Sequence, residues 1–166
     1  SIRVVGIDCH IGSQITELSP FADAEEKILD IVDQLAAEGI PLEHIDFGGG
    51  LGVCYKDEVP PSKREFVRLI LDHLEARGYK HLAVTLEPGR SIIANAGILI
   101  TRVIRDKTGE TKNFAIVDAA MNDMGRPMFY EAWMGIVPAV PRDGATRTYD
   151  VVGPICESGD WLGRDR

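Results

Sequence analysis

The sequence predicts an α/β protein whose first part holds a parallel sheet and whose second part is β-rich. Three observations lead there. Over residues 1–95 short apolar runs alternate with segments of helical period, joined by short loops. Each apolar run closes on a glycine-bearing turn: His10-Ile11-Gly12, Gly48-Gly49-Gly50 and Glu87-Pro88-Gly89. From about Ala96 the helical period fades and β-branched segments replace it. Strand–helix–strand–helix–strand with short connections requires right-handed crossovers and parallel strands. An open doubly wound sheet and a sector of a (β/α)8 barrel both satisfy that pattern.

Ile2, Val4, Val5 and Ile7 predict a buried strand that ends at Asp8-Cys9-His10. Ser19 as N-cap and Pro20 at the first helical position open a helix, with Asp23, Glu25 and Glu26 favouring its N-terminus. Phe21, Ala24, Ile28, Ile31, Val32, Leu35 and Ala36 give that helix an apolar face, and Gly39 and Pro41 end it. His44 to Phe47 is the next strand and runs into the glycine triplet. Ser62 and Glu65 stand in capping-box spacing before a helix that buries Phe66, Val67, Ile70, Leu71 and Leu74 and stops at Gly78. Leu82 to Leu86 reads as a buried strand, cut off by Pro88-Gly89. Beyond Ala96, Ile98–Ile104 and Phe114–Val117 are strands flanking a hairpin turn at Lys107-Thr108-Gly109-Glu110. Arg126 to Trp133 is a helical patch, 137–148 a loop, and Tyr149 to Val152 a strand of an antiparallel domain. No closing element is expected after Trp161, and both ends look cut from a longer chain.

Composition narrows the function classes. A chain of 166 residues suits one ordinary domain or two small ones, and 45% hydrophobic with 27% charged residues is a globular composition. A net charge of −8 with no basic stripe excludes nucleic acid as the main partner. The three cysteines, Cys9, Cys54 and Cys156, form no CxxC pair and no metal-ligand spacing. An odd count suits a reducing compartment, and no metal is expected. No apolar run has the length of a membrane span, so a cytoplasmic protein without membrane partners is expected.

The chemistry-bearing residues gather at strand ends, where α/β folds keep their sites. Glu87 and Arg90 flank the Pro88-Gly89 turn. Glu87 suits a protonated ring nitrogen or a plain salt bridge to Arg90. His10 suits stacking on an aromatic ligand with the Ser13 hydroxyl at a phosphate, or an ordinary structural role. Gly48, Gly49 and Gly50 form an anion nest or a tight loop with positive φ, and GxGxxG spacing is absent. Arg90, Arg126 and Tyr130 could clamp a carboxylate, since arginine offers a fork and tyrosine a single donor. Arg126 and Tyr130 fall on one helical face, as a solvated face would also have them. Cys156 is either a small packing residue or an acid–base group, while Cys9 and Cys54 read as structural.

Taken in order, His10-Ile11-Gly12-Ser13-Gln14, Gly48-Gly49-Gly50-Leu51-Gly52, Glu87-Pro88-Gly89-Arg90, Arg126-Pro127 with Tyr130, and Cys156-Glu157-Ser158-Gly159-Asp160 resemble the fold-type III pyridoxal-phosphate-dependent amino-acid decarboxylases. Within them the chain is most similar to the branch acting on meso-2,6-diaminopimelate. The resemblance implies a central-to-C-terminal excerpt: the C-terminal part of a (β/α)8, TIM-like barrel over 1–95, then part of a β-sandwich-like C-terminal domain over 96–166. It implies pyridoxal 5′-phosphate as cofactor, with His10 stacked on the ring, Ser13 and the Gly48-Gly49-Gly50 loop at the phosphate, and Glu87 on the pyridine nitrogen. Pro88 and Gly89 belong to the same cofactor turn, and Arg90 lies near phosphate and substrate. Arg126 and Tyr130 would grip the distal end of the substrate, and Glu157 would read its distal amino group. Cys156 would deliver a proton, so Cys156, Glu87 and His10 form the implied catalytic set. Cys156 and Glu157 act across a homodimer interface in such enzymes. The implied reaction yields L-lysine and CO2, the last step of lysine biosynthesis. The excerpt alone would be inactive, because the Schiff-base lysine lies outside it. Trp133-Met134 and Asp118-Ala119-Ala120 depart from the family pattern and bear on substrate breadth. The alternatives are a sister decarboxylase acting on ornithine, arginine or a carboxylated polyamine, and an inactive regulatory homologue. Retention of the cofactor-facing residues disfavours the latter.

Overall fold

Three short parallel strands set the geometry of the first unit: β1 (Gly6–Asp8), β2 (His44–Asp46) and β3 (Ala83–Thr85), in spatial order β1-β2-β3. The computed structural model describes residues 2–166 and divides into two units, Ser1–Gly97 and Ile98–Arg166. The strands are in level register, Gly6 beside His44 and Ala83, and Asp8 beside Asp46 and Thr85. Parallel neighbours need crossovers, here supplied by α1 (Ser19–Ala37) and α2 (Lys63–Ala76). Level register means that all three carboxyl ends, and the loops that leave them, share one edge.

The core lies between the helices and β2. Ile45 and Leu29 are 0% exposed, with Phe21, Val32, Phe66, Ile70 and Leu74 packed around them. Phe21 and Phe66 join α1 to α2 through tilted rings 4.6 Å apart. α2 begins as its sequence dictates. Ser62 Oγ accepts the Glu65 N–H at 3.2 Å and Glu65 Oε2 accepts the Ser62 N–H at 2.7 Å, a reciprocal cap of the kind worth about 1 kcal/mol.

Several expectations are corrected. The cap position of α1 is Leu18, without a side-chain bond; Ser19 is already helical and no acidic residue falls in the first turn. The buried stripe of α1 is Phe21, Glu25, Ile28, Leu29 and Val32, while Ile31 is exposed. Val67 and Leu71 of α2 are also exposed. β1 starts at Gly6, leaving Ile2 and Val4 exposed, and β3 is exposed along its length. Among the described residues β2 is hydrogen-bonded on both sides, whereas β1 and β3 are each paired on one side.

The second unit is a four-stranded sheet of β4 (Val103–Thr108), β5 (Asn113–Val117), β6 (Asp150–Val152) and β7 (Trp161–Gly163), in that order. β4–β5 and β6–β7 pair antiparallel, but β5–β6 pair parallel, so the expected all-antiparallel sheet is mixed. The first strand begins at Val103 rather than Ile98, and the hairpin closes at Gly109–Lys112 (Gly109 N–H to Lys112 O, 3.0 Å) instead of Lys107–Glu110. β7 is the closing element missing from the sequence reading. α3 (Arg90–Ile93) and a 3-10 turn at Ala94–Ala96 close the first unit, and α4 (Arg126–Tyr130) is the helix of the second. α4 stops before Trp133 because Glu131 adopts φ 50°, a left-handed turn that cannot continue a helix.

Glu25 is the anomaly of the first core. It is 2% exposed, and neither carboxylate oxygen receives a hydrogen bond; His73 of α2 lies beside it, Nδ1 2.8 Å from Oε2. Burial, then the negative charge of Glu26, pushes its carboxyl up to about 8. Between the ordinary glutamate range and about 8, the unfolded chain ionises this group while the fold keeps it protonated. The fold therefore loses stability from Glu25 as pH rises through that window. In the full-length protein, Glu25→Gln is expected to flatten this component. The melting-temperature gap between variant and wild type should widen in favour of Gln from pH 5 to pH 9, and a constant gap would refute the protonated carboxyl.

Candidate functional site

The loops leaving β1, β2 and β3 meet main chain to main chain. Cys9 N–H donates to Asp46 O at 3.1 Å, Phe47 N–H to Thr85 O at 3.2 Å, and Glu87 N–H to Gly48 O at 2.7 Å. The glycine triplet lies where they cross. A Cβ on Gly48 would collide with the carbonyl oxygen of Cys9, on Gly49 with that of Glu87, and on Gly50 with that of Gly12. Gly48 (φ 66°) and Gly50 (φ 104°) also take left-handed backbone. The triplet is thus a tight loop with positive φ at two of its three positions. The N–H groups of Gly48 and Gly49 are engaged locally, with Asp46 Oδ1 at 2.8 Å and His10 Nδ1 at 3.4 Å. Because Nδ1 of His10 accepts, a neutral imidazole would carry its proton on Nε2.

Around this crossing the structure gathers His10, Ser13, Gly48–Gly50, Glu87 and Arg90. Arg90 Nη2 donates to Ser13 Oγ at 2.9 Å and Nη1 to Gln14 Oε1 at 3.0 Å. Gln14 is fixed in turn by Val53, its Nε2 donating to Val53 O at 2.6 Å and its Oε1 accepting the Val53 N–H at 3.2 Å. The Arg90 guanidinium also lies over the Tyr55 ring, 5.8 Å from its centroid. Glu87 is exposed rather than buried, and it makes no ion pair with Arg90. Its carboxylate instead shares a 4.8 Å neighbourhood with those of Asp8 and Asp46. Asp8 marks the predicted end of the first strand, whereas nothing in the sequence singles out Asp46; both end their strands in register. Cys9 is half-buried, and its thiol is pushed upward by burial and by Asp8, Asp46 and Glu25, which suits an inert packing role.

Arg126, Tyr130, Cys156 and Glu157 belong to the second unit. Arg126 and Tyr130 share a face of α4, the guanidinium 5.5 Å from the ring centroid, and buried Pro127 anchors the helix. Cys156 and Glu157 are exposed on the loop between β6 and β7, where Glu157 Oε1 accepts the Gly159 N–H at 3.2 Å. Asp160, the last residue of that loop's motif, is buried.

Residues 1–94 match the family model described as pyridoxal-dependent decarboxylase, pyridoxal binding domain. The chain belongs to the pyridoxal-dependent decarboxylases. Across its whole length it is 54% identical to the diaminopimelate decarboxylase of Vibrio cholerae, and over 99% of it, 56% identical to that of Pseudomonas aeruginosa. It spans 39% of the length of each of these relatives. A solved diaminopimelate decarboxylase from Helicobacter pylori, complexed with L-lysine, superposes with a TM-score of 0.87 at 41% identity, over 98% of this chain and 39% of that one. Because the matched model is the amino-terminal, pyridoxal-binding domain of these decarboxylases, the central-to-C-terminal placement is corrected: the first unit carries part of that domain. Among the described residues no helix is long and apolar enough to cross a membrane.

The crossing of loops gives a direct test. Gly49→Ala drives a methyl into the Glu87 carbonyl, and overpacking of this kind costs about 1–3 kcal/mol. Gly89→Ala, at a position with open space around it, is the matched control. In the full-length protein, Gly49→Ala should lower the denaturant midpoint while Gly89→Ala leaves it near wild type. Equal midpoints would show that the loops do not pack as described.

Proposed function

We propose that the protein to which this chain belongs decarboxylates meso-2,6-diaminopimelate to L-lysine and CO2 with pyridoxal 5′-phosphate, closing lysine biosynthesis. The observation that carries this reading is the convergence of His10, Ser13, Glu87 and Arg90 on one loop crossing, inside the unit matched by the pyridoxal-binding model. The donor set fits a phosphorylated pyridine. An exposed, flat imidazole suits the ring face, a hydroxyl held by a guanidinium suits the phosphate, and a carboxylate suits a protonated ring nitrogen. The glycine loop, Gly48 to Gly50, lies at the same crossing, with the Glu87 N–H on the Gly48 carbonyl, and Pro88 and Gly89 continue the Glu87 turn.

When bound, pyridoxal phosphate supplies the electron sink that accepts the charge left by departing CO2. Glu87 keeps the ring nitrogen protonated, aided by the negative field of Asp8 and Asp46. His10 holds the ring plane, and Arg90 with Ser13 fixes the phosphate and orients the cofactor. Cys156 delivers the proton to the α-carbon. Arg126 and Tyr130 bind the distal carboxylate, and Glu157 the distal ammonium. The exposure of Cys156 and Glu157 leaves them open to a second copy, which supports a homodimer with active sites shared across the interface. In this reading residues 1–95 are part of a (β/α)8 barrel and 96–166 part of a β-sandwich-like domain. Three free thiols suit a cytoplasmic setting.

The full-length protein should release CO2 from meso-diaminopimelate with kcat/KM at least about 100-fold above that for ornithine, arginine or lysine. A site built for a distal zwitterion leaves Arg126, Tyr130 and Glu157 without their partners when a simpler amine binds. Arg126→Ala should raise KM for diaminopimelate tenfold or more at unchanged cofactor absorbance. Equal turnover of ornithine would move the protein to a sister decarboxylase, and an unchanged KM would remove Arg126 from the site.

A further inference from the structure

The buried carboxylate of Asp160 has a place in the second unit that the roles of Cys156 and Glu157 do not explain. Asp160 is 3% exposed. Its Oδ1 accepts the Met121 N–H at 2.7 Å and its Oδ2 accepts the Ile155 N–H at 2.7 Å. Its own main chain closes the same loop: Gly153 N–H donates to Asp160 O at 2.9 Å, and Asp160 N–H donates to Glu157 O at 3.0 Å. The carboxylate rests against Gly153, where any side chain would strike it.

These bonds join two segments far apart in sequence. Ile155 immediately precedes Cys156, so Oδ2 fixes the entry to the reactive loop while the Asp160 backbone fixes its exit. Met121 lies in the turn that leads into α4, closed by Asp123 N–H to Ala120 O at 2.9 Å and Ala120 N–H to Asp123 Oδ2 at 2.9 Å. The loop also packs on α4 directly, since a Cβ on Gly159 would come within 2.8 Å of Met128 Cγ. One carboxylate therefore holds the Cys156–Glu157 loop in register with the helix bearing Arg126 and Tyr130.

We infer that Asp160 is a positioning residue: it sets Cys156 and Glu157 relative to Arg126 and Tyr130, so that the proton donor and the distal-end contacts address one substrate. This rests on the roles given to those residues under Proposed function. Asp160 acts through two backbone N–H groups and touches no reacting atom. An acceptor on each oxygen is essential, because both partners are donors. Asparagine fills the same volume but turns an NH2 toward one of them.

The test uses the full-length, pyridoxal-phosphate-loaded enzyme. Asp160→Asn is expected to lower kcat for diaminopimelate at least tenfold with cofactor absorbance retained. It should also change the rate of iodoacetamide alkylation at Cys156, followed by peptide mass spectrometry, at least threefold. Asp150→Asn is the control for a merely structural effect. That carboxylate is also buried in the second unit, held by Lys112 at 2.8 Å and the Asp165 N–H at 2.9 Å, outside the reactive loop. It should lower the melting temperature while leaving kcat and Cys156 alkylation at wild-type values. If Asp160→Asn does not fold, Gly153→Ala, which presses on the same carboxylate from the other side, should give the same pair of changes. Unchanged kcat and alkylation in Asp160→Asn, with Cys156→Ser inactive, would overturn the positioning role alone. Full activity in Cys156→Ser would overturn the reading on which it rests.

Discussion

The first unit is governed by how closely three strand-end loops approach one another. The carbonyl oxygens of Cys9, Gly12 and Glu87 occupy the space that side chains on Gly48, Gly50 and Gly49 would need. Level parallel register brings the loops to one edge, and the absence of three Cβ atoms lets them cross in contact. Everything assigned to the cofactor depends on that crossing. His10 is held against the glycine loop by the Gly49 N–H, Glu87 by its own N–H on Gly48, and Arg90 by Ser13 and Gln14. With the main-chain bonds between the loops behind them, these contacts display the side chains proposed for the cofactor from a rigid base.

The second unit solves a similar problem with different means. The residues proposed to meet the substrate sit on an exposed loop and a helix of little more than one turn, neither of which is stiff by itself. Rigidity comes from buried groups behind them: Pro127 beneath α4, and Asp160 between the loop and the turn that precedes the helix. The division resembles that of a well-built site, in which exposed groups do the chemistry and buried ones hold them.

Much of this was legible in the sequence because it is written locally. The Ser62–Glu65 capping box, the Gly39 and Gly78 stops and the Pro88-Gly89 break each act within a few residues, and each lies at an element end. Burial was less legible. Phe21, Glu25, Ile28, Leu29 and Val32 follow helical spacing without a gap, but the charge of Glu25 masks the stripe in the sequence, which points to Ile31 where the fold buries Leu29. Apolar period shows how wide a stripe is, not which rim of it is covered, so Val67 and Leu71 were misplaced. β7, at three residues, is too short for any period, and the parallel β5–β6 pair joins segments too distant for local signals. The hold of Asp160 on Met121 is not legible in the sequence, because that backbone partner is brought near only by the fold. Asp46 is marked by strand register, ending its strand beside Asp8.

The central claim is that one phosphorylated pyridine sits at the loop crossing. A crystal structure of the full-length protein with pyridoxal phosphate tests it most directly. The ring is expected against the His10 imidazole with its nitrogen at Glu87, and the phosphate within reach of Ser13, Arg90 and the Gly48–Gly50 loop. A cofactor bound elsewhere, with these residues facing only solvent, would contradict it.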